Sequence, residues 1–548
     1  MNGKDPPWAR GPALHALQRR VQTSQNGLRD HLHSILEDAE LVQQMREFLK
    51  HSEMPVFANK RNGCWYGEFD RFCYFKSTDG HDRNLLFNYT SRLNLDVAER
   101  AIQAGGCLII DSTRAGKTWP DSMRNTIPIW CSVLNHVAGL DSPSGVPGVV
   151  EFHALPSVTA PVHAQRIASE VIPSMVAGIP QEVVEMLRAR LGGRMDRHDG
   201  GLAGGERGSA WKGKPKPLVP VWVHPDEDGV LEWSGAHADV VLEHLGQLHS
   251  RDEADGPARD LDITPVLLLS CSGAKKARHV SEQSWEYIQG AGDDEETWAE
   301  GLTADVFWRH SSRIMAAWDS AGAWGEGGAV GMSRMVKDVL QEDGVRKLSG
   351  AGDGRRASHY FPVRGTALAL SREVVRSCGG DRWDGVINVI SGPGDREGEG
   401  DSRTLHVSAQ FSKQECSGSR GKWAATIIPR VLAWYRGIDC TEEGRAEREG
   451  ARVLVVCGDG SDETHSLSAV VLLVLLLEFY EASGGALKRK LQFSYGENDQ
   501  GTARMCWSSK ESMKVMVALL QSLCEGLPAA WNPPRRLLKE VQAYFVET

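Results

Sequence analysis

Gly290-Ala-Gly-Asp-Asp-Glu-Glu-Thr-Trp298 sets two glycines ahead of four consecutive carboxylates. Asp293, Asp294, Glu295 and Glu296 repel one another unless a helix N-terminus, a bound cation or a basic partner offsets the charge. The plainest reading is an acidic first helical turn after a glycine turn, with Thr303 opening a further helix at Ala304-Asp-Val-Phe-Trp308.

Three other segments carry residues suited to phosphate chemistry. In Cys73-Tyr-Phe-Lys-Ser-Thr-Asp-Gly-His-Asp-Arg83, Lys76 and Arg83 are placed to bind phosphate oxygens, and Asp79 or His81 to take a proton from a hydroxyl. Asp79-Gly80 alone would make an ordinary hairpin turn. Gly106-Cys-Leu-Ile-Ile-Asp-Ser-Thr-Arg-Ala-Gly-Lys-Thr118 ends like a nucleotide-binding phosphate loop, but Asp111 replaces the required first glycine and Pro120 follows too soon for the helix. What remains is a strand end offering Asp111, Ser112, Thr113, Arg114 and Lys117 to a phosphorylated ligand, or else a charged loop that pairs internally.

The loop Cys457-Gly-Asp-Gly-Ser-Asp-Glu-Thr-His465 is similar to the cysteine loop of tyrosine and dual-specificity phosphatases, yet the clamping arginine is missing and Glu463 takes its place. Acids at Asp459, Asp462 and Glu463 oppose a phosphoester and raise a thiol pKa. Phosphatase catalysis by Cys457 is therefore not expected. A phosphate-cradling loop built by Cys457, Gly458, Asp459, Gly460, Ser461 and Asp462 is one reading, and a structural turn below a core helix is the other.

The elements that must position these residues are legible in the spacing. Leu32, Ile35, Leu36, Val42, Met45 and Leu49 recur at helical intervals from Leu28 onward. Cys73-Tyr-Phe-Lys, Cys107-Leu-Ile-Ile, Val219-Pro-Val-Trp-Val223 and Val266-Leu-Leu-Leu269 read as strands separated by helix-like stretches, which defines a mixed α/β region. A glycine-rich, charged stretch around 193–213 is an expected flexible insertion. Gly392-Pro-Gly-Asp-Arg-Glu-Gly-Glu-Gly-Asp401 is the expected linker. Beyond it lie a helix around Trp423–Tyr435, the strand Arg452-Val-Leu-Val-Val-Cys457 and the apolar helix Ala469–Leu477. The domain plan is a flexible N-terminus at 1–27, a first domain at 28–391, a linker at 392–401 and a second domain at 402–548.

Composition bounds the function. The chain has 548 residues, 41% hydrophobic and 24% charged, enough for two or three cores. Its 11 cysteines form no C-x-x-C pair, which favours reduced cytoplasmic thiols over a disulfide framework or a zinc site. The N-terminus has no signal-peptide core, and the longest apolar run is too short to span a bilayer. A net charge of −10 opposes non-specific nucleic-acid binding, so any such contact must use local basic patches. Lys488-Arg-Lys490 and Arg535-Arg536 are the expected patches, with Lys212–Lys216 a third.

Tyr74–His81, Gly106–Arg114 with Pro128-Ile-Trp-Cys131, Pro220-Val-Trp-Val223, Tyr287–Trp298, Cys457–Asp462 and Asn532-Pro-Pro-Arg535 together resemble the initiator tRNA phosphoribosyl transferase family. One departure is Glu463-Thr-His465, which lengthens the cysteine loop. The resemblance implies an α/β fold with a large mixed N-terminal domain and a C-terminal dual-specificity-phosphatase-like domain whose cysteine loop is degenerate. It implies transfer of a ribosyl 5-phosphate from phosphoribosyl pyrophosphate to the 2′-hydroxyl of adenosine 64 in initiator methionine tRNA, excluding that tRNA from elongation. A divalent cation, expected to be Mg, would neutralise the leaving group, with Asp293, Asp294 and Glu295 as its ligands or Asp293 and Asp294 as base. Lys76, Arg83, Arg114 and Lys117 would hold phosphates, and the site is expected between the two domains. A cytoplasmic setting without membrane contact goes with this reading. The rival is a non-catalytic pseudo-phosphatase that binds a phosphorylated partner as a scaffold.

Overall fold

The computed structural model describes residues 27–140, 151–192, 214–250, 261–273, 285–320 and 332–342, apart from 81–84, 91, 115 and 227–228. Beyond these it describes 360–362, 368–371, 383–391, 404–409, 422–439, 452–457, 462–483, 486–489, 517 and 535–546. The expected flexible N-terminus at 1–27 (apart from Gly27), the insertion at 193–213 and the segment 392–401 lie outside the described residues.

The first half builds a six-stranded sheet of β1 (Val56–Asn59), β2 (Phe72–Cys73), β3 (Cys107–Asp111), β4 (Leu218–Pro225), β5 (Leu231–Ser234) and β6 (Thr264–Ser270). The strand order is β2-β1-β3-β6-β4-β5, parallel except for the edge pair β4–β5. Parallel strands are covered on both faces, so they read as unbroken apolar runs. The two-residue alternation then divides the core. Cys107, Ile109, Val266 and Leu268 join one buried cluster, while Leu108, Ile110, Leu267 and Leu269 join another.

Helices supply the outer layers. α1 (Leu28–Phe48) buries Leu32, Ile35, Val42 and Met45 on the second of these faces, as its spacing predicts. α2 (Leu95–Ala104), α3 (Ile127–Ala138) and α4 (Gln181–Leu191) cover the first. α5 (Ala238–His249), the single turn α6 (Glu295–Trp298) and α7 (Ala304–Ser320) return to the α1 side with Val241, Trp298 and Phe307. Each such fully buried side chain contributes about 1.5–3 kcal/mol. Thr303 sits ahead of α7 as expected, its carbonyl accepting the Phe307 N–H at 2.8 Å.

Two local expectations change. The strand expected over Cys73–Lys76 ends at Cys73, and Asp79-Gly80 belongs to a 3₁₀ turn (Ser77–Gly80), not a hairpin. The cause is topological: β2 runs parallel to β1, so no hairpin joins antiparallel neighbours here.

A second sheet holds β7 (Tyr360–Pro362), β8 (Leu368–Ser371), β9 (Gly385–Ser391), β10 (Thr404–Ala409) and β11 (Val453–Cys457) in the order β10-β9-β11-β8-β7. It packs on α8 (Lys422–Asp439), the apolar α9 (Asp462–Phe479) and α10 (Arg535–Val546). A hairpin of β12 (Tyr480–Ser483) and β13 (Ala486–Arg489) follows α9. The domain boundary expected at 392–401 is corrected by this sheet. β9 and β10 pair along six positions, Val386–Ser391 against Thr404–Ala409, and β8 and β9 flank β11. Strands encoded on both sides of 392–401 thus share one hydrogen-bonded sheet, which a domain linker cannot interrupt. No helix among the described residues is long and apolar enough to cross a membrane.

Candidate active site

The chain passes from β1 to β2 on one side and then to β3 on the other, so the β1/β3 boundary is a topological switch point of the kind where open α/β sheets bind ligands at their carboxyl ends. A cleft of about 470 Å³ lies there. The turn after β1 supplies Arg61 and Asn62, and the turn after β2 supplies Ser77. The segment after β3 supplies Asp111, Ser112, Thr113, Arg114, Lys117, Asp121 and Ser122, and the acidic segment supplies Asp293.

Asp111 is the centre of this arrangement. It ends β3 and is 1% exposed. Its Oδ2 accepts from Asn59 Nδ2 across the switch point and from Ser122 Oγ, both at 2.7 Å, and its Oδ1 accepts from the Ser112 N–H at 3.0 Å. Burial pushes its carboxyl up to about 6, against the opposing pull of the Ser122 and Asn59 hydrogen bonds, the Ser112 amide and Arg61. Asn59 is itself fixed, exchanging hydrogen bonds with the Phe75 backbone at 3.0 and 3.1 Å. The carboxylate therefore sits in one orientation at the cleft floor, with a pKa matched to proton transfer near neutrality.

The acidic segment forms a wall of the cleft. Gly290 takes φ +68, and a Cβ there would lie 2.4 Å from the Thr113 carbonyl oxygen, so only glycine fits. The Gly292 N–H donates to the Tyr66 hydroxyl at 3.2 Å. Gln289 bridges the wall to the β3 loop, its Nε2 donating to the Lys117 carbonyl (2.8 Å) and its Oε1 accepting from the Gly116 N–H (3.1 Å). At the far end the Tyr287 hydroxyl donates to Asp38 Oδ1 at 2.7 Å and the Ile288 N–H to Ser34 Oγ at 2.8 Å, tying the wall to α1.

Three of the four carboxylates are engaged by side chains of the protein. Asp293 and Asp294 both pair with Arg114, the latter at 3.0 Å, and Glu295 Oε2 accepts from Trp65 Nε1 at 2.7 Å. The three residues expected as metal ligands thus have other partners here: Asp293 and Asp294 share the Arg114 guanidinium, and Glu295 holds the Trp65 indole. Among the described residues no group of three or more histidines, cysteines or carboxylates is arranged to hold a metal. Asp294 adopts φ 51 at the start of α6, and the expected acidic helical turn is this four-residue element.

The other expected residues separate. Arg114 and Lys117 reach the cleft, Lys117 with Asp121 at 2.8 Å. Asp79 does not line it; Arg92 grips both its oxygens at 2.5 and 2.9 Å, which removes it as a base. Lys76 lies in the same turn outside the cleft lining. His81, Arg83, Gly458, Asp459, Gly460, Ser461 and Lys490 lie outside the described residues. Cys457 closes β11 and Asp462 opens α9, Lys488 and Arg489 belong to β13, and Arg535 and Arg536 begin α10. This cleft takes all its lining from residues 61–293, in the half of the chain that builds the first sheet. Asn59, Arg61, Asn62, Asp121 and Ser122 were not anticipated. The signal for the first three is Val56-Phe-Ala-Asn-Lys-Arg-Asn62, a short strand ending in amides and cations.

A buried carboxylate at a switch point, with Arg61, Arg114, Lys117, Asp121, Asp293 and hydroxyls around it, defines an α/β protein with a polar cleft of mixed charge at the carboxyl ends of its sheet. Residues 21–322 match the family model described as the Rit1 N-terminal domain, and the chain belongs to the initiator tRNA phosphoribosyl transferase family that its motifs resemble. It is 29% identical over 302 residues, 54% of this chain and 53% of the relative, to the tRNA A64-2′-O-ribosylphosphate transferase of Saccharomyces cerevisiae. An uncharacterised protein of Schizosaccharomyces pombe is 29% identical over 294 residues, 52% of this chain and 53% of that protein. The match spans about half the length of these curated relatives. No solved structure matches.

Proposed function

We propose that this chain transfers a ribosyl 5-phosphate from phosphoribosyl pyrophosphate to the 2′-hydroxyl of adenosine 64 in initiator methionine tRNA. The observation that carries the reading is Asp111, buried at the switch point of a cleft lined by Arg61, Arg114 and Lys117 together with Asp121 and Asp293. The 2′-oxygen attacks C1 of the donor, the bond from C1 to the pyrophosphate oxygen breaks, and the hydroxyl proton passes to Asp111. Arg61, Arg114 and Lys117 hold the phosphates and stabilise the charge that gathers on the departing pyrophosphate. Since Asp293, Asp294 and Glu295 are engaged by side chains of the protein, no step is assigned to a divalent cation.

The same reading makes the region from Tyr360 a phosphatase-like domain without phosphatase chemistry. Its support is the succession of β11, the cysteine-bearing loop and the buried α9. A cytoplasmic setting accords with free thiols at Cys73, Cys107, Cys131 and Cys271, all buried and all pushed up by that burial.

The test is transfer of labelled ribosyl phosphate to initiator and to elongator methionine tRNA. Wild-type protein is expected to label the initiator alone, and Asp111→Asn to lose about 100-fold or more in rate. Wild-type protein that labels neither tRNA would sink the proposal.

A further inference from the structure

A band of positive charge runs outward from the cleft along the carboxyl ends of β1 and β2, on a chain whose net charge is −10. Lys60 follows β1, its N–H donating to the Cys73 carbonyl of β2 at 2.9 Å and its ammonium lying 5.8 Å from the centre of the Phe72 ring. Arg61 is exposed and donates to Ser77 Oγ at 3.1 Å, which joins the two strand ends at the cleft rim. Lys76 is half-buried, and its carbonyl accepts from Thr126 Oγ1 at 3.2 Å. The turn that follows packs closely on the next segment: a Cβ at Gly80 would lie 2.6 Å from the Thr126 nitrogen. Three cations thus gather on the segments that follow β1 and β2, and Arg61 joins them to the proposed site.

Their surroundings select among anionic partners. Arg92 stacks on Tyr74 at 5.6 Å, but Asp79 neutralises it, so it braces the turn and adds no net charge. Phe72 and Tyr74 each carry a cation on a ring face, which makes them platforms for the cations. A surface of this kind reads backbone phosphates. It does not offer the row of bare rings on which unpaired bases stack. A base-paired RNA stem suits it, since the wide minor groove of A-form RNA presents 2′-hydroxyls between two phosphate rows.

We infer that the rim formed by Lys60, Arg61 and Lys76 is the docking surface for the phosphate backbone of a base-paired RNA stem, which it seats with a 2′-hydroxyl over the cleft. The inference rests on the proposed function for the identity of the RNA, and it moves the contact from the expected Lys488–Lys490 and Arg535–Arg536 to the sheet that bears the cleft. The geometry favours this surface because it meets the cleft through Arg61 and Ser77, both of which line it.

The test uses the full chain and reads tRNA binding without transfer. For Lys60→Glu with Lys76→Glu, affinity for initiator tRNA should fall about tenfold or more, and the slope of log affinity against log salt should drop by about two. Protection against thermal unfolding by phosphoribosyl pyrophosphate should be unchanged. Lys60→Gln with Lys76→Gln gives the same change of slope should the reversal variant fail to fold. A duplex RNA stem should compete for binding and a single-stranded oligonucleotide of equal length should not. Unchanged affinity and slope in the glutamine variant, or better competition by the single strand, overturns the inference. Loss of tRNA binding in a protein whose wild type transfers nothing would uphold this surface and overturn the enzymatic reading alone.

Discussion

Asp111 sets a pH dependence that no surface carboxylate would produce. Its folded pKa of about 6 lies above the ordinary 3.8, so the folded state binds this proton more tightly than the unfolded chain. The stabilisation is complete below about pH 4 and is lost as pH rises through about 6, a change of roughly 3 kcal/mol. Unfolding free energies of wild type and Asp111→Asn, measured from pH 4 to 7, should therefore differ by an amount that grows in favour of the variant as pH rises. A constant difference would mean that the carboxyl is not buried. At this scale the sequence was informative about residue type and weak on partnership. It marked Asp111, Arg114 and Lys117 because a strand end with mixed charge is conspicuous. It missed Asn59 because the amides and cations that end Val56–Asn62 show their target only once β1 is known to lie beside β3. It overvalued Asp79 because Arg92 is remote in motif terms, and close only after the chain turns back.

Among the elements, α1 and the acidic segment form the joint that shapes the cleft wall. Besides the Tyr287–Asp38 hydrogen bond, the His31 ring stacks on Trp298 of α6 with centroids 4.6 Å apart. Burial lowers His31 from 6.5 to about 4, so the folded joint prefers the neutral ring. This contribution is complete above pH 6.5 and is lost as pH falls towards 4, again by about 3 kcal/mol. His31→Phe keeps the stack and cannot take a proton. The difference in melting temperature between His31→Phe and wild type should grow in favour of the variant as pH falls from 7 to 5, and parallel curves would remove His31 from the account. The helices and strands here were legible from period alone, with α1, β3, β4 and β6 falling close to their expected places. β2 was overextended because alternation in Cys73-Tyr-Phe-Lys says nothing about where a partner strand stops.

For the whole molecule, the pairing of β9 with β10 fixes where the chain can be divided. A fragment of 402–548 would leave β11 without β8 and β9 on its two sides. It is expected to lack near-ultraviolet dichroism and a cooperative melt, while a fragment beginning ahead of Tyr360 should show both. A cooperative melt from 402–548 would contradict the sheet order. Composition misled at this scale: glycine and charge mark a connection between two paired strands as strongly as a domain linker, and only strand pairing tells them apart.

The Tyr287 to Asp38 contact spans 249 positions of the chain. During translation the cleft floor, Asn59 and Asp111, emerges early, but the wall that pairs with Arg114 and closes on Tyr66 is not synthesised until almost 180 residues after Asp111, at about the end of the stretch matched by the family model. A ribosome-bound chain short of this point holds Arg114 without its carboxylate partners and a binding cleft open on one side. Assembly of the wall is thereby deferred until every strand of the first sheet has been made.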